Sequence, residues 1–128
     1  LNDLKPFVGI LFARELAKYD YWSFSDADVI YGDLGMYLTD GLLASKPLII
    51  NGFPDFPVHG SFTLLKNTDE INNLMIKSET VNVTQFLGTD EHLHLDEGWN
   101  SPSQQFKNST FHRIVADRIP RSQRVTVP

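Results

Sequence analysis

Two carboxylates spaced one apart, Asp26 and Asp28, close an aromatic-rich run that starts at Tyr19. Aromatic residues favour strands, and Asp20, Trp22 and Phe24 alternate with Tyr19, Tyr21 and the serines. In an extended segment, side chains at i and i+2 point the same way. Asp26 and Asp28 are therefore expected to converge on one divalent cation where the strand ends. In an open α/β sheet, ligands bind beyond such strand ends. An EF-hand is excluded: counting from Asp26, the sixth position is Tyr31 rather than glycine and the twelfth is Tyr37 rather than glutamate. Two phosphate chemistries suit the pair. In one, both carboxylates hold Mn²⁺ or Mg²⁺ against the diphosphate of a nucleotide sugar while an acceptor hydroxyl attacks the sugar. In the other, Asp26 is the nucleophile and Asp28 the acid of a haloacid-dehalogenase-like phosphatase. That second pattern wants a continuous apolar strand, which Ser23 and Ser25 interrupt. A solvated turn ahead of the next helix is the plain structural alternative.

A second cluster lies at Glu91–Glu97. Alternation puts His92, His94 and Asp96 on one face and Leu93 and Leu95 on the other. Such a face could bind Zn²⁺ or a redox metal, or be the polar side of an edge strand over a leucine core. His112 stands alone in sequence. Trp22 belongs with the core, whereas Trp99 suits either packing or stacking on a sugar.

The elements that must position these groups follow from spacing. Pro6, Phe7, Ile10, Leu11 and Leu16 predict a helix over residues 6–18. A strand is expected at 20–25, and Asp33 as the cap of a helix over 34–44. Pro47–Ile50 and Ser61–Leu65 read as strands, with a Gly/Pro-rich loop between them. Thr68 opens a helix to about Lys77, with no capping box because Ile71 occupies the third position after it. Residues 80–87 fit helix or strand, 98–112 a polar loop, and 113–128 a partly extended stretch whose Arg113, Arg118, Arg121 and Arg124 suit a basic tail or helix end better than a polyanion site. Strands alternating with helices favour an α/β domain. No repeat or second domain is visible.

The bulk properties narrow the partners. The 128 residues carry a formal charge of −5, which argues against nucleic acid. The chain has no cysteine, so disulfides and thiolate metal sites are excluded. No apolar run approaches the ~20 residues of a membrane span. The sequons Asn82-Val83-Thr84 and Asn108-Ser109-Thr110 point toward a secretory route through the ER or Golgi lumen, and a bacterial source would point to the cytoplasm.

Lys5–Leu38 resembles glycosyltransferases of the GT-A type. It is especially similar to a little-characterised glycosyltransferase-like family with a lysine-proline helix, an aromatic strand, D-x-D, a hydrophobic pair and Gly32-Asp33. His59–Thr68 is similar to that family's GHFTLFRNT segment, with the glycine after rather than before the histidine. His92–Glu97 is similar to its aromatic-x-F-D-E segment. The resemblance spans residues 5–97, and the order and spacing of the motifs make it specific. It implies the C-terminal part of a GT-A-like mixed sheet with flanking helices over 1–112, the nucleotide-binding strands lying upstream. It further implies a metal and diphosphate site at Asp26 and Asp28, close donor approach at Gly60 and Ser61, and a general base at Asp96 or Glu97. The partners would be a nucleotide-sugar donor and a carbohydrate or other hydroxyl acceptor. Gly60 also suits a simple strand-entry turn. A degenerate, non-catalytic carbohydrate-binding module is the third class, and it would need no metal.

Overall fold

The structure is a computed structural model, and it describes residues 2–45, 47–52, 56–77, 88, 95 and 111–127. The segment expected as one helix over 6–18 is three pieces. A 3-10 helix, Asn2–Phe7, has Pro6 inside it and is followed by α1 (Val8–Leu11) and α2 (Ala13–Leu16). Pro6 has no N–H to donate, so the regular α-helical hydrogen-bond ladder cannot run unbroken through it. Phe12, between α1 and α2, lies outside the helical region at φ −117°, ψ 29°.

Strand β1 (Tyr21–Ser25) follows with Trp22 and Phe24 buried and Ser23 exposed, the expected period of two. The helix expected over 34–44 is again divided. Asp33 caps a 3-10 turn, Leu34–Met36, by accepting from the Gly35 N–H at 3.0 Å. Thr39 then caps α3 (Asp40–Ala44) by accepting from Leu42 N–H at 3.2 Å. Thr39 is extended, at φ −74° and ψ 155°, so this second cap restarts the helix rather than continuing it. Strands β2 (Ile49–Asn51) and β3 (Phe62–Lys66) lead into α4 (Asp69–Asn72), capped by Thr68. The residues from 73 to Lys77 turn without forming more α-helix.

The segment read as a basic tail is part of the fold. It contributes most of α5 (Phe111–Arg118), the 3-10 turn Arg121–Gln123 and strand β4 (Arg124–Thr126). The sheet runs β1-β3-β2-β4, with β3 antiparallel to β1 and β2 and with β4 parallel to β2. It is an open mixed sheet in a mixed α/β fold. Among the described residues no helix is long and apolar enough to cross a membrane.

Register places two rows of side chains on one face. Trp22, Leu65, Ile49 and Arg124 form one row; Phe24, Thr63, Asn51 and Thr126 form the next. α5 adds Phe111, Ile114 and Val115 to the same core, with Ile71, Met75 and Leu95. Full burial of a large apolar side chain contributes roughly 1.5–3 kcal/mol. Trp22, Leu65 and Ile49 make the first row apolar up to Arg124, whereas beyond Phe24 the second row is polar, toward the strand ends where Asp26 emerges.

A hydrogen-bonded chain ties the N-terminal helices to this sheet. Trp22 Nε1 donates to Asn72 Oδ1 at 2.8 Å, and Asn72 Nδ2 donates to Asn67 Oδ1 at 2.7 Å. Asn67 Nδ2 donates to the carbonyls of Leu16 and Tyr19. Gly9 lies against this chain. A Cβ there would stand 2.6 Å from Asn72 Oδ1 and 2.9 Å from Trp22 Cζ2, and neither atom can yield without losing its partner. Gly9→Ala is therefore expected to destabilise the protein by about 1–3 kcal/mol, measured by urea denaturation, despite alanine's better helix propensity.

Candidate functional site

The acidic turn begins where β1 ends. Ser25 is paired with Phe62, and Asp26 then opens a turn in which the Val29 N–H reaches the Asp26 carbonyl at 3.5 Å. Backbone extension does not continue past Ser25, so the i, i+2 rule does not orient Asp28 relative to Asp26. Asp28 lies exposed on the turn, whereas Asp26 is partly buried.

Lys5 explains that difference. Its side chain is only 10% exposed, and its ammonium pairs with Asp26 Oδ1 and donates to the Gly60 carbonyl at 3.1 Å. A buried ammonium is costly unless paired and hydrogen-bonded, and these two acceptors serve it. The lysine thus joins three segments: the N-terminal 3-10 helix, the acidic turn and the entry to β3. Asp26, Gly60 and Ser61 are brought together by it, Gly60 and Ser61 directly preceding the residue that pairs with Ser25.

The entry to β3 has its own lock. The Thr63 hydroxyl accepts from the His59 N–H at 2.9 Å and donates to the His59 carbonyl at 2.8 Å. The Ser61 N–H donates to His59 Nδ1 at 3.3 Å, and Ser61 Oγ lies 2.7 Å from the same nitrogen. Nδ1 is thereby an acceptor, which assigns the ring proton to Nε2. Beside Ser61 opens a cleft of about 260 Å³, lined by Ile30, Tyr31, Tyr37, Gly52 and Phe62 among others. The Tyr31 and Phe62 rings meet edge to face at 5.8 Å. The cleft therefore offers aromatic and apolar surface directly after the two carboxylates.

The candidate base residues Asp96 and Glu97 lie outside the described residues, as do His92, His94, Trp99 and both sequons. Leu95 is described and fully buried, as its place in the alternation predicted. Its N–H donates to Asp3 Oδ1 at 2.8 Å and its carbonyl accepts from the Phe111 N–H at 2.7 Å. Asp3 is two residues from Lys5 in the same 3-10 helix. One short helix therefore fixes both the acidic turn and the backbone just before Asp96. Sequence reasoning did not assign Asp3 or Lys5 a role in the site. The available signal was a pair of charged residues flanked by Leu4, Pro6 and Phe7, where burial requires partners.

Among the described residues, no group of three or more His, Asp or Glu is placed to hold a metal. His112 is therefore not brought to Asp26 and Asp28. Lys5 pairs with Oδ1 of Asp26, and Asp28 stands exposed on the turn beyond it.

His112 instead packs its ring against Phe56 at a centroid distance of 5.5 Å. Burial is the largest cause that holds its pKa below the usual 6.5; the nearby Val58 backbone opposes this, and Arg124, Arg113 and His59 reinforce it. The unfolded chain thus takes up this proton at a higher pH than the native one. The stabilisation from neutral His112 is full above about pH 6.5 and is lost as pH falls toward the lower native pKa. Denaturation midpoints measured from pH 8 to 5 should fall, and His112→Gln should make the fall shallower. An unchanged slope in the variant would contradict this assignment.

The chain matches a family of unknown function (DUF6625) over residues 1–127, and it belongs to that family. No curated protein and no solved structure matches it.

Proposed function

We propose that this member of the DUF6625 family transfers a sugar from a nucleotide-sugar donor to a hydroxyl acceptor, assisted by Mn²⁺ or Mg²⁺, in a GT-A-like site. The observation that carries the reading is the Lys5 bridge. It draws together Asp26 and Gly60, the two segments that the resemblance to GT-A enzymes assigns to the diphosphate and to the donor sugar. An open mixed sheet with these groups beyond its strand ends suits a ligand crevice.

The roles follow from the chemistry of each group. Asp26 and Asp28 would hold the ion, whose contribution when bound is to neutralise charge on the departing diphosphate. Lys5 holds Asp26 in position and adds a positive charge near the same phosphates. The backbone at Gly60 and Ser61, fixed by His59 and Thr63, offers close approach to the sugar. Tyr31 and Tyr37 line the adjoining cleft and give faces on which a base or sugar ring can stack. In the transfer, the acceptor oxygen bonds to the anomeric carbon as the bond from that carbon to the diphosphate breaks. The diphosphate leaves with the electron pair, and the acceptor's proton passes to a carboxylate, assigned to Asp96 or Glu97. The mooring of Leu95 to Asp3 supports that assignment, because it holds the preceding residue to the helix that carries Lys5.

The phosphatase reading is less well supported. Among the described residues β1 pairs on one side only, antiparallel, and its Ser23 is exposed. A nucleophilic aspartate of that kind follows a continuous apolar strand.

Calorimetry of the full-length protein with UDP or GDP, in Mn²⁺ and in EDTA, tests the proposal. Wild type should bind a nucleotide only with the metal, and Asp28→Asn should weaken that binding by at least roughly tenfold. Absence of metal-dependent nucleotide binding in wild type would overturn the reading.

A further inference from the structure

A second cavity, of about 430 Å³, lies between α5 and the β4 edge of the sheet, lined by Phe56, Pro57, His112, Arg121, Arg124 and Thr126 among others. Its volume is in the range of small-molecule sites. The floor is the sheet itself: Arg124 and Thr126 are two apart on β4 and share the face that bears Ile49 and Asn51. His112 and Ala116, one helical turn apart on α5, line it together, and Arg121 enters from the 3-10 turn before β4. The wall at Phe56 and Pro57 is held by buried Asn51, whose amide nitrogen donates to both carbonyls, at 3.0 and 3.1 Å.

Among the described residues, the charge of this cavity is one-sided. No described carboxylate lines it, and neither Arg121 nor Arg124 has a carboxylate partner among the described residues. The only described acid on α5, Asp117, is engaged on the surface by Arg113 at 3.1 Å. His112 Nδ1 is a buried side-chain atom with no hydrogen-bond partner. Buried polar atoms are rarely left so. Burial, and after it the neighbouring Arg121, disfavour the charge on Arg124. Two guanidiniums facing one cavity with no counter-charge among the described residues are an arrangement that an anion relieves. Arginine's planar fork matches phosphate oxygens in particular.

We propose that this cavity binds the phosphoryl group of a small phosphorylated molecule, without a metal. Arg121 and Arg124 clamp the phosphoryl oxygens, the Thr126 hydroxyl offers a further donor, and the body of the ligand rests on Phe56 and Pro57. The inference is independent of the transferase reading, since it uses neither Asp26 nor Asp28. Inorganic phosphate alone would leave much of the cavity unfilled, so an organic phosphomonoester should bind more tightly.

Isothermal calorimetry in EDTA at fixed ionic strength, with glucose 1-phosphate, inorganic phosphate and glucose as probes, tests this on the full-length protein. The phosphomonoester should bind, phosphate more weakly and glucose not at all. Arg124→Gln and the exposed Arg121→Gln should each weaken binding at least roughly tenfold, as expected for a lost charge-assisted contact. Failure of the phosphomonoester to bind, or binding indifferent to both arginine variants, would overturn the proposal. Unliganded melting temperatures of the two arginine variants, expected to match wild type, separate lost recognition from lost folding.

Discussion

A buried ammonium has few acceptable arrangements, and the arrangement Lys5 adopts governs the rest of this molecule's strand-end architecture. The side chain reaches across from a 3-10 helix to one carboxylate oxygen of Asp26 and to the Gly60 carbonyl. Either acceptor alone would leave part of the charge poorly solvated. Together they fix where the chain may turn after β1 and where it must enter β3. The interaction specifies geometry more than it adds stability, since removing two charges from water costs several kcal/mol per ion that the pairing must offset.

The same 3-10 helix does a second positioning task. Asp3 takes the Leu95 N–H, so residues far apart in sequence meet through two charged side chains two positions apart. On the sheet, the polar row of Thr63, Asn51 and Thr126 extends this polarity from the acidic turn toward the β4 edge. Thr63 holds His59, and Asn51 holds the carbonyls of Phe56 and Pro57. The polar residues of the core are therefore those that shape loops at the strand ends. The apolar row beside them, with Trp22, Leu65 and Ile49, carries the packing. Among the described residues, an aromatic and apolar cleft beside the acidic turn and a cationic cavity at the β4 edge share no lining residue.

Much of this was legible in sequence where a local rule decides. The period-two pattern of β1 correctly buried Trp22 and Phe24, and Asp33 was correctly read as a cap. The apolar run at Ile49 and the segment at Phe62 marked two real strands. Long-range constraints were not legible. The helix expected over 6–18 is broken because Pro6 sits in a 3-10 turn and Phe12 leaves the helical region. The helix expected over 34–44 is divided because Thr39 caps a new start. The basic appearance of residues 113–128 concealed α5 and β4: Ile114 and Val115 are buried on one side while Arg113, Asp117 and Arg118 point outward, and Val125 pairs beside Ile50. At the acidic turn, residue types indicated a site, but the lysine that organises it lies 21 positions earlier. No periodicity connects the two.

Lys5 as the organiser of the strand ends is best tested by a double-mutant cycle on folding stability, with Lys5→Met and Asp26→Asn singly and together. Each single change should destabilise the protein, because it leaves the other group buried with an incomplete set of partners. The double variant should be no less stable than the worse single one, giving a coupling energy of about 1–3 kcal/mol. Strictly additive effects, with coupling below about 0.3 kcal/mol, would contradict this account.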